Sequence, residues 1–255
     1  MSLTQRAARA VGWLLLLLAL LLCGPVLTLA LGRAHLDADW RNASRRPAGL
    51  APDPALVHEA VVQVYAGRTF SWRGAFAVHT WVAAKPAGAD RYTRYEVIGW
   101  RAFRGGSAVS ISDWGVPDAE WYGQTPILLR DLRGAPAEAV IAKLPAAAAS
   151  YPYATHYRSW PGPNSNTFIA YLGRSIPELE LTLPSLAIGK DYLPPGRIIA
   201  RTPSGTGYQL SLSGVLGVTV ARDEGVELNL FGLVAGVDLR HPALKWPGIG
   251  RIPPY

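Results

Sequence analysis

The chain has 255 residues, 49% of them apolar, nine tryptophans and a formal net charge of +7 at pH 7, so there is enough apolar material for one sizeable packed domain. The positive charge is carried mostly by Arg spread along the chain, with Lys only at Lys85, Lys143, Lys190 and Lys245; a nucleic-acid footprint needs a clustered basic stripe, and none is present, so no nucleic-acid partner is expected. The one cysteine, Cys23, lies inside an apolar run, which excludes disulfides, cysteine-ligated zinc and thiol catalysis from the rest of the chain by residue type.

Residues 1–10 form a short head with Arg6 and Arg9, expected to be cytoplasmic. Residues 11–32, "VGWLLLLLALLLCGPVLTLALG", carry no charge and match the roughly 20 residues that cross a bilayer's hydrocarbon core. A signal peptide has a shorter apolar region of about 7–15 residues. Ala30-Leu31-Gly32 is a faint cleavage site, but the length of the run favours an uncleaved signal-anchor. The bulky Leu22 before Cys23 argues against a lipid anchor. Arg33, Arg41, Arg45 and Arg46 follow the run, partly offset by Asp37 and Asp39, so the charge rule alone orients the chain weakly. The short head points to a single-pass protein of the bacterial inner membrane with its domain in the periplasm.

Residues 33–56 are polar, Arg-rich and punctuated by Pro, and predict a linker. The domain is then 57–255. Residues 60–66, 74–84 and 91–101 are rich in Val, Tyr, Trp and Thr and predict a β-hairpin or meander, with "GSAVSIS" as a further short strand. Around 135–144, Pro136 suits a first helical turn, and Pro145 ends or kinks the helix. "SNTFIAYLGRSIPEL" predicts a second helix closing near Gly173 or Ile176. The last third returns to strands, with regular alternation in "GYQLSLSGVLGVTVA". The order strands, helix, helix, strands gives an α+β fold in which a small antiparallel sheet packs against helices.

The stretch "WPGPNSNTF", Trp160–Phe168, carries the strongest functional signal. Asn164 and Ser165 suit a helix N-cap. The same position gives Ser165 the backbone N–H groups that hold an acyl-transfer oxyanion. A serine nucleophile also needs a general base. His79, in "FAVHTWV", shares a strand face with Ala77 and Trp81, away from Val78, Thr80 and Val82. On the following strand Glu96 is placed to orient that imidazole. Asn164, Asn166, Trp81, Arg158 and Trp160 are the candidate substrate-binding residues. In "SDWGVPDAEWYG", Asp113, Asp118 and Glu120 stand among Trp114, Trp121 and Tyr122, a composition suited to sugars or simply to a turn-rich loop. "RTPSGTGYQ" lacks the Lys of a phosphate loop and predicts a β-turn. Lys190 and Asp191 suit an ion pair or a substrate contact. His35, His58, His156 and His241 show no metal-ligand spacing, so no metal and no cofactor are expected.

A His on an early strand ("AVHTW", 77–81) followed by "NSNTF" (164–168) at a helix start resembles the circularly permuted papain-like enzymes, the NlpC-type and lecithin:retinol-acyltransferase-like groups. The resemblance implies a nucleophile helix packed on a sheet that carries the base, with Ser165, His79 and Glu96 in the three roles. That family uses Cys where this chain has Ser. Across most of its length, through "FSWRGAFAVHTW", "SWPGPNSNTF", "AIGKDYL" and "PSGTG", the chain also resembles an uncharacterised bacterial family of membrane-anchored proteins. Two functions follow. One is an envelope hydrolase or acyltransferase acting on an amide or ester bond. The other is a non-catalytic module that binds cell-wall glycan, peptide or lipid in the same groove.

Overall fold

The structure is a computed structural model and describes residues 2–37, 41 and 43–254; Asp39, weighed above for orientation, lies outside them. Helix α1, Leu3–Ala30, begins at a capping box formed by Ser2 and Gln5. It is long and apolar enough to cross a membrane and is mostly exposed. One stripe is buried, at Leu21, Gly24, Pro25 and Thr28, the i, i+3, i+4, i+7 spacing of a single helix face. That stripe meets the turn at Pro247 and Gly248, where Thr28 Oγ1 donates to the Gly248 carbonyl (3.0 Å) and Arg68 Nη2 donates to the same oxygen (3.0 Å). Gly24 is needed there, because a Cβ would stand 2.9 Å from the Trp246 ring.

The first sheet has strands β1 (Val61–Arg68), β2 (Val78–Lys85), β3 (Thr93–Val97), β4 (Val109–Ser112) and β5 (Ile127–Arg133). Their order is β4-β3-β2-β1-β5, and every pairing is antiparallel. Two expected boundaries move. Residues 71–75 form a 3₁₀ turn before β2, and Trp100 and Arg101 belong to a short helix, α2 (Gly99–Phe103). Helix α3 (Ala135–Ile141) follows β5, and Pro145 sits in the first turn of α4 (Leu144–Ala149), where a missing N–H costs nothing. Helix α5, Ser165–Ser175, is capped by Asn164 and ends at Ile176.

Both faces of this sheet are covered. On one face Val62, Val64, Val78 and Val82 pack against Leu144, Phe168, Ile169 and Leu172 from the helices. On the other, Val61, Tyr65, Trp81 and Ala83 lie under Leu50, Ala51, Val57 and Trp121. The segment expected to be a free linker is therefore part of the fold at its C-terminal end. Asp118 accepts from the backbone N–H groups of Leu50 and Ala51 (2.6 and 3.0 Å), Tyr92 donates to Pro52 O (3.0 Å), and Gln63 donates to Leu50 O (3.3 Å). These bonds and the apolar contacts outweigh the disorder its composition suggests.

The second sheet is a seven-stranded antiparallel meander of β6 (Ile199–Arg201), β7 (Gly207–Leu212), β8 (Leu216–Ala221), β9 (Gly225–Leu230), β10 (Leu233–Asp238), β11 (Ala243–Trp246) and β12 (Gly250–Ile252). The run 207–221 forms the β7–β8 hairpin, in line with the paired strands its alternation suggests, and 225–238 forms the β9–β10 hairpin. Phe231 and Gly232, both at positive φ, close the Leu230–Leu233 pair as a two-residue turn of the kind that matches strand twist. The molecule thus mixes helices with antiparallel sheets, and the second sheet is as large a feature as the first.

Candidate functional site

Strand alternation brings His79 and Glu96 together. His79 Nε2 lies 3.1 Å from Glu96 Oε2. Arg94, two residues before Glu96 on β3, donates from Nη2 to the same oxygen (3.0 Å) and sets Nε 3.0 Å from Oε1. The imidazole lies flat on the Trp121 ring, 3.8 Å between centroids and 2° between planes. This contact needs Gly67, the cross-strand partner of His79, since a Cβ there would be 2.6 Å from Trp121 Cβ. Trp81 is fully buried beside this group, stacked on Tyr65 and under the Arg94 guanidinium, with Nε1 donating to Pro117 O (2.7 Å).

Burial holds the His79 pKa below its ordinary value, against the opposing pull of Glu96. For Glu96, burial acts upward, but the His79 hydrogen bond and the Arg94 charge outweigh it and leave the carboxyl lowered. With Glu96 ionised, Nε2 carries the proton that points at it, and Nδ1 is the basic nitrogen. In the unfolded chain His79 takes a proton as pH falls through about 6.5, whereas the folded chain resists until a lower pH, so stability declines with pH below about 6.5. Thermal melts between pH 7.5 and 5 should show that decline, and His79→Gln should flatten it. An equal slope in the variant would remove His79 as its source.

Ser165 lies elsewhere. It opens α5, which packs on the Val78/Thr80/Val82 face of β2. Thr80 Oγ1 donates to Asn166 Oδ1 (2.9 Å), and Asn166 Nδ2 donates to Val78 O (2.9 Å) and Ile188 O (2.8 Å). The His79 side chain leaves the opposite face of the same strand, toward Trp121. The structure therefore brings His79 to Glu96 but separates both from Ser165, with the sheet between them. Direct proton transfer needs hydrogen-bond reach. The cap that makes Ser165 look like a nucleophile performs local work: Asn164 Oδ1 accepts from Thr167 N, and Asn164 Nδ2 donates to Ser159 O and Ile188 O.

The expected substrate-binding residues are also apart. Asn164, Asn166 and Trp81 are buried and bonded within the fold. Arg158 is exposed, and Trp160 is half exposed, its Nε1 donating to Phe231 O of the second sheet (3.0 Å). Asp118 holds the 50–51 backbone, Glu120 pairs with Arg46 at 3.8 Å, and Trp114 is exposed, so these carboxylates do not converge as a pair. Lys190 and Asp191 do not pair with each other. Lys190 Nζ meets Glu227 Oε2 at 2.6 Å, while Asp191 Oδ2 accepts from Asn229 Nδ2 (2.7 Å) and Ser211 Oγ (3.3 Å).

Two features emerge only in the folded chain. Arg94 is one, although its place on the Glu96 face of β3 follows from alternation. The other is the buried ion cluster of Lys190, Glu227 and Lys245, in which Lys245 Nζ lies 2.7 Å from Glu227 Oε1. Its signal is a charge set in the middle of an apolar strand, "VELNL".

The model of a family described as proteins of unknown function, DUF3750, matches residues 59–192, just over half of the chain. The chain belongs to this family. The DUF3750 region contains the first sheet, His79, Arg94, Glu96, Trp121 and α5; residues 50–57, which cover part of the His79 face, and the second sheet lie outside the matched residues. No curated protein and no solved structure matches the chain.

Proposed function

We propose that the protein is a membrane-anchored, non-catalytic module of the bacterial envelope. Residues 11–32 cross the inner membrane, the domain faces the periplasm, and it acts by binding an envelope component. The observation that carries this reading is the placement of His79 and Ser165 on opposite faces of β2, with the imidazole engaged by Glu96 and covered by Trp121. A Ser alcohol without a base in reach is a poor nucleophile. We infer further that the DUF3750 region is a permuted papain-like scaffold. The supporting features are a helix packed on an antiparallel sheet, a His on the second strand, and Ser165 where that family carries Cys. In this chain the scaffold serves packing in place of acyl transfer.

A fluorophosphonate probe applied to the full chain in detergent tests the proposal. The expected result is no covalent labelling above that of a Ser165→Ala variant. Labelling that disappears in Ser165→Ala and drops in His79→Ala would establish the hydrolase or acyltransferase instead.

A further inference from the structure

The second sheet has its faces reversed relative to the usual half-buried sheet. Gln209, Ser211, Thr219, Glu227, Asn229 and Lys245 point to the protein interior and are buried. The residues between them point outward and are apolar. Register aligns them in rows across the strands. One row runs Tyr208, Val220, Val226, Val237, Leu244 and Ile252. The next contains Ile199, Leu210, Val218 and Leu228. Every one of these ten side chains is exposed. Among the described residues, the charge on this face is Arg201, on edge strand β6, whose guanidinium lies over the Tyr208 ring.

Seven strands about 4.8 Å apart make an apolar surface roughly 30 Å across. Water-exposed apolar patches of monomers are usually no more than a few hundred Å², so this face has an occupant. The location of α1 indicates which. The helix docks on the turn between β11 and β12, and its Gly24 lies against Trp246, which shares the outward side of β11 with Leu244 by alternation. The exposed side of α1, with Val26 and Leu27, is thus joined to this sheet at one end. At the same end exposed Phe231 closes the β9–β10 turn beside Trp160, whose Nε1 donates to the Phe231 carbonyl, so the end next to α1 adds apolar ring surface. The opposite end carries the Arg222–Asp223–Arg240 ion group, suited to water.

We propose that the outward face of the second sheet rests in the acyl-chain layer of the bilayer that α1 enters, so that lipid is the component this module binds. This rests on the membrane-anchored reading above. Its interior is polar because its exterior is the solvent-averse side, and the Lys190–Glu227–Lys245 cluster fastens it to the DUF3750 region.

The single native cysteine makes the test direct. The full chain is reconstituted into phosphatidylethanolamine/phosphatidylglycerol vesicles with or without doxyl-labelled lipid. One environment-sensitive fluorophore is attached at native Cys23, or in a Cys23→Ser background at Val218→Cys, Leu228→Cys or Arg104→Cys. Doxyl lipid should reduce emission at least two-fold at Cys23, Val218 and Leu228, and leave Arg104, in the first sheet's exposed loop, unchanged. Quenching at Cys23 without quenching at Val218 and Leu228 overturns the lipid-facing sheet alone. If Val218→Cys instead cross-links to a second copy, unquenched, the face is a dimer interface and the proposal fails. No quenching at Cys23 removes the membrane-spanning reading itself.

Discussion

Glu227→Ala should destabilise the protein by about 3–5 kcal/mol, the usual cost of leaving buried charge uncompensated. Each carboxylate oxygen of Glu227 serves one ammonium, Lys190 at 2.6 Å and Lys245 at 2.7 Å, and all three side chains are almost completely removed from water. Lys245 also donates to Glu224 O (2.6 Å) and Lys190 to Leu183 O (3.2 Å). These carbonyls share the load but cannot neutralise it. Without Glu227 the two cations face one another between the 183–190 segment and the second sheet. Thermal unfolding in detergent should show a large drop in midpoint. The triple replacement Lys190→Met, Glu227→Leu, Lys245→Met should recover most of it, because removing every charge avoids the desolvation cost. A Glu227→Ala midpoint within a degree or two of the parent would show that the cluster holds nothing together.

The same carboxylate sets an acid limit. Burial acts to raise its pKa, but the charges of Lys190 and Lys245 outweigh burial and leave it lowered. A depressed carboxyl contributes stability that is complete above its unfolded pKa of about 4.3 and is lost as pH falls through the folded value. This loss therefore lies below the pH range in which His79 acts. The two contributions are separable in one titration, with His79→Gln affecting the upper part and the triple replacement the lower.

Much of the local structure was legible because it depends on neighbours in sequence. The uncharged run of 11–32 announces α1, and Asn164 with Thr167 announces the start of α5. Period-two alternation on β2 and β3 placed His79 and Glu96 on one side, and they meet there at 3.1 Å. The face on which α5 lands was not legible. Alternation separates Val78, Thr80 and Val82 from His79 and Trp81, yet it does not say which set a helix more than 80 residues away will cover. A hint was available in "AVVQVYA". A near-continuous apolar strand signals a sheet buried on both faces, and here the His79 face is buried under residues 50–57 and Trp121. Pairing Ser165 with His79 requires α5 to land on that covered face. The second sheet poses the same problem in a different form. The pattern of "GYQLSLSGVLGVTVA" sorts residues into two faces but does not state which one looks inward. In this chain the deciding partners are Lys190, Asp191 and Arg174. The last of these reaches the Lys190 carbonyl through Nη2 (2.6 Å), and burial lowers its pKa to about 10. They supply polar groups that the interior can pair.

Trp81→Ala should cost about 3–5 kcal/mol, typical for deleting a fully buried aromatic, and should change the electrostatics of the His79 group as well. The indole fills the space between Tyr65 (5.5 Å between centroids) and the Arg94 guanidinium (4.4 Å above the ring). Its Nε1–H bond to Pro117 O pins the loop that delivers Trp121. Removing the ring opens a cavity on the His79 side of β2 and loosens that loop, so water reaches the imidazole. Since burial is the main cause of the lowered His79 pKa, hydration should move it back toward its ordinary value. The dependence of stability on pH between 7.5 and 5 should shrink accordingly. Trp121→Ala should reproduce the electrostatic effect with a smaller loss of stability, because Trp121 is only partly buried. Ser165→Ala should do neither, since it stands across the sheet. An NMR titration of the His79 ring in the three variants separates these outcomes. A His79 pKa that follows Ser165→Ala and ignores both tryptophans would mean that the imidazole and the alcohol share one site after all.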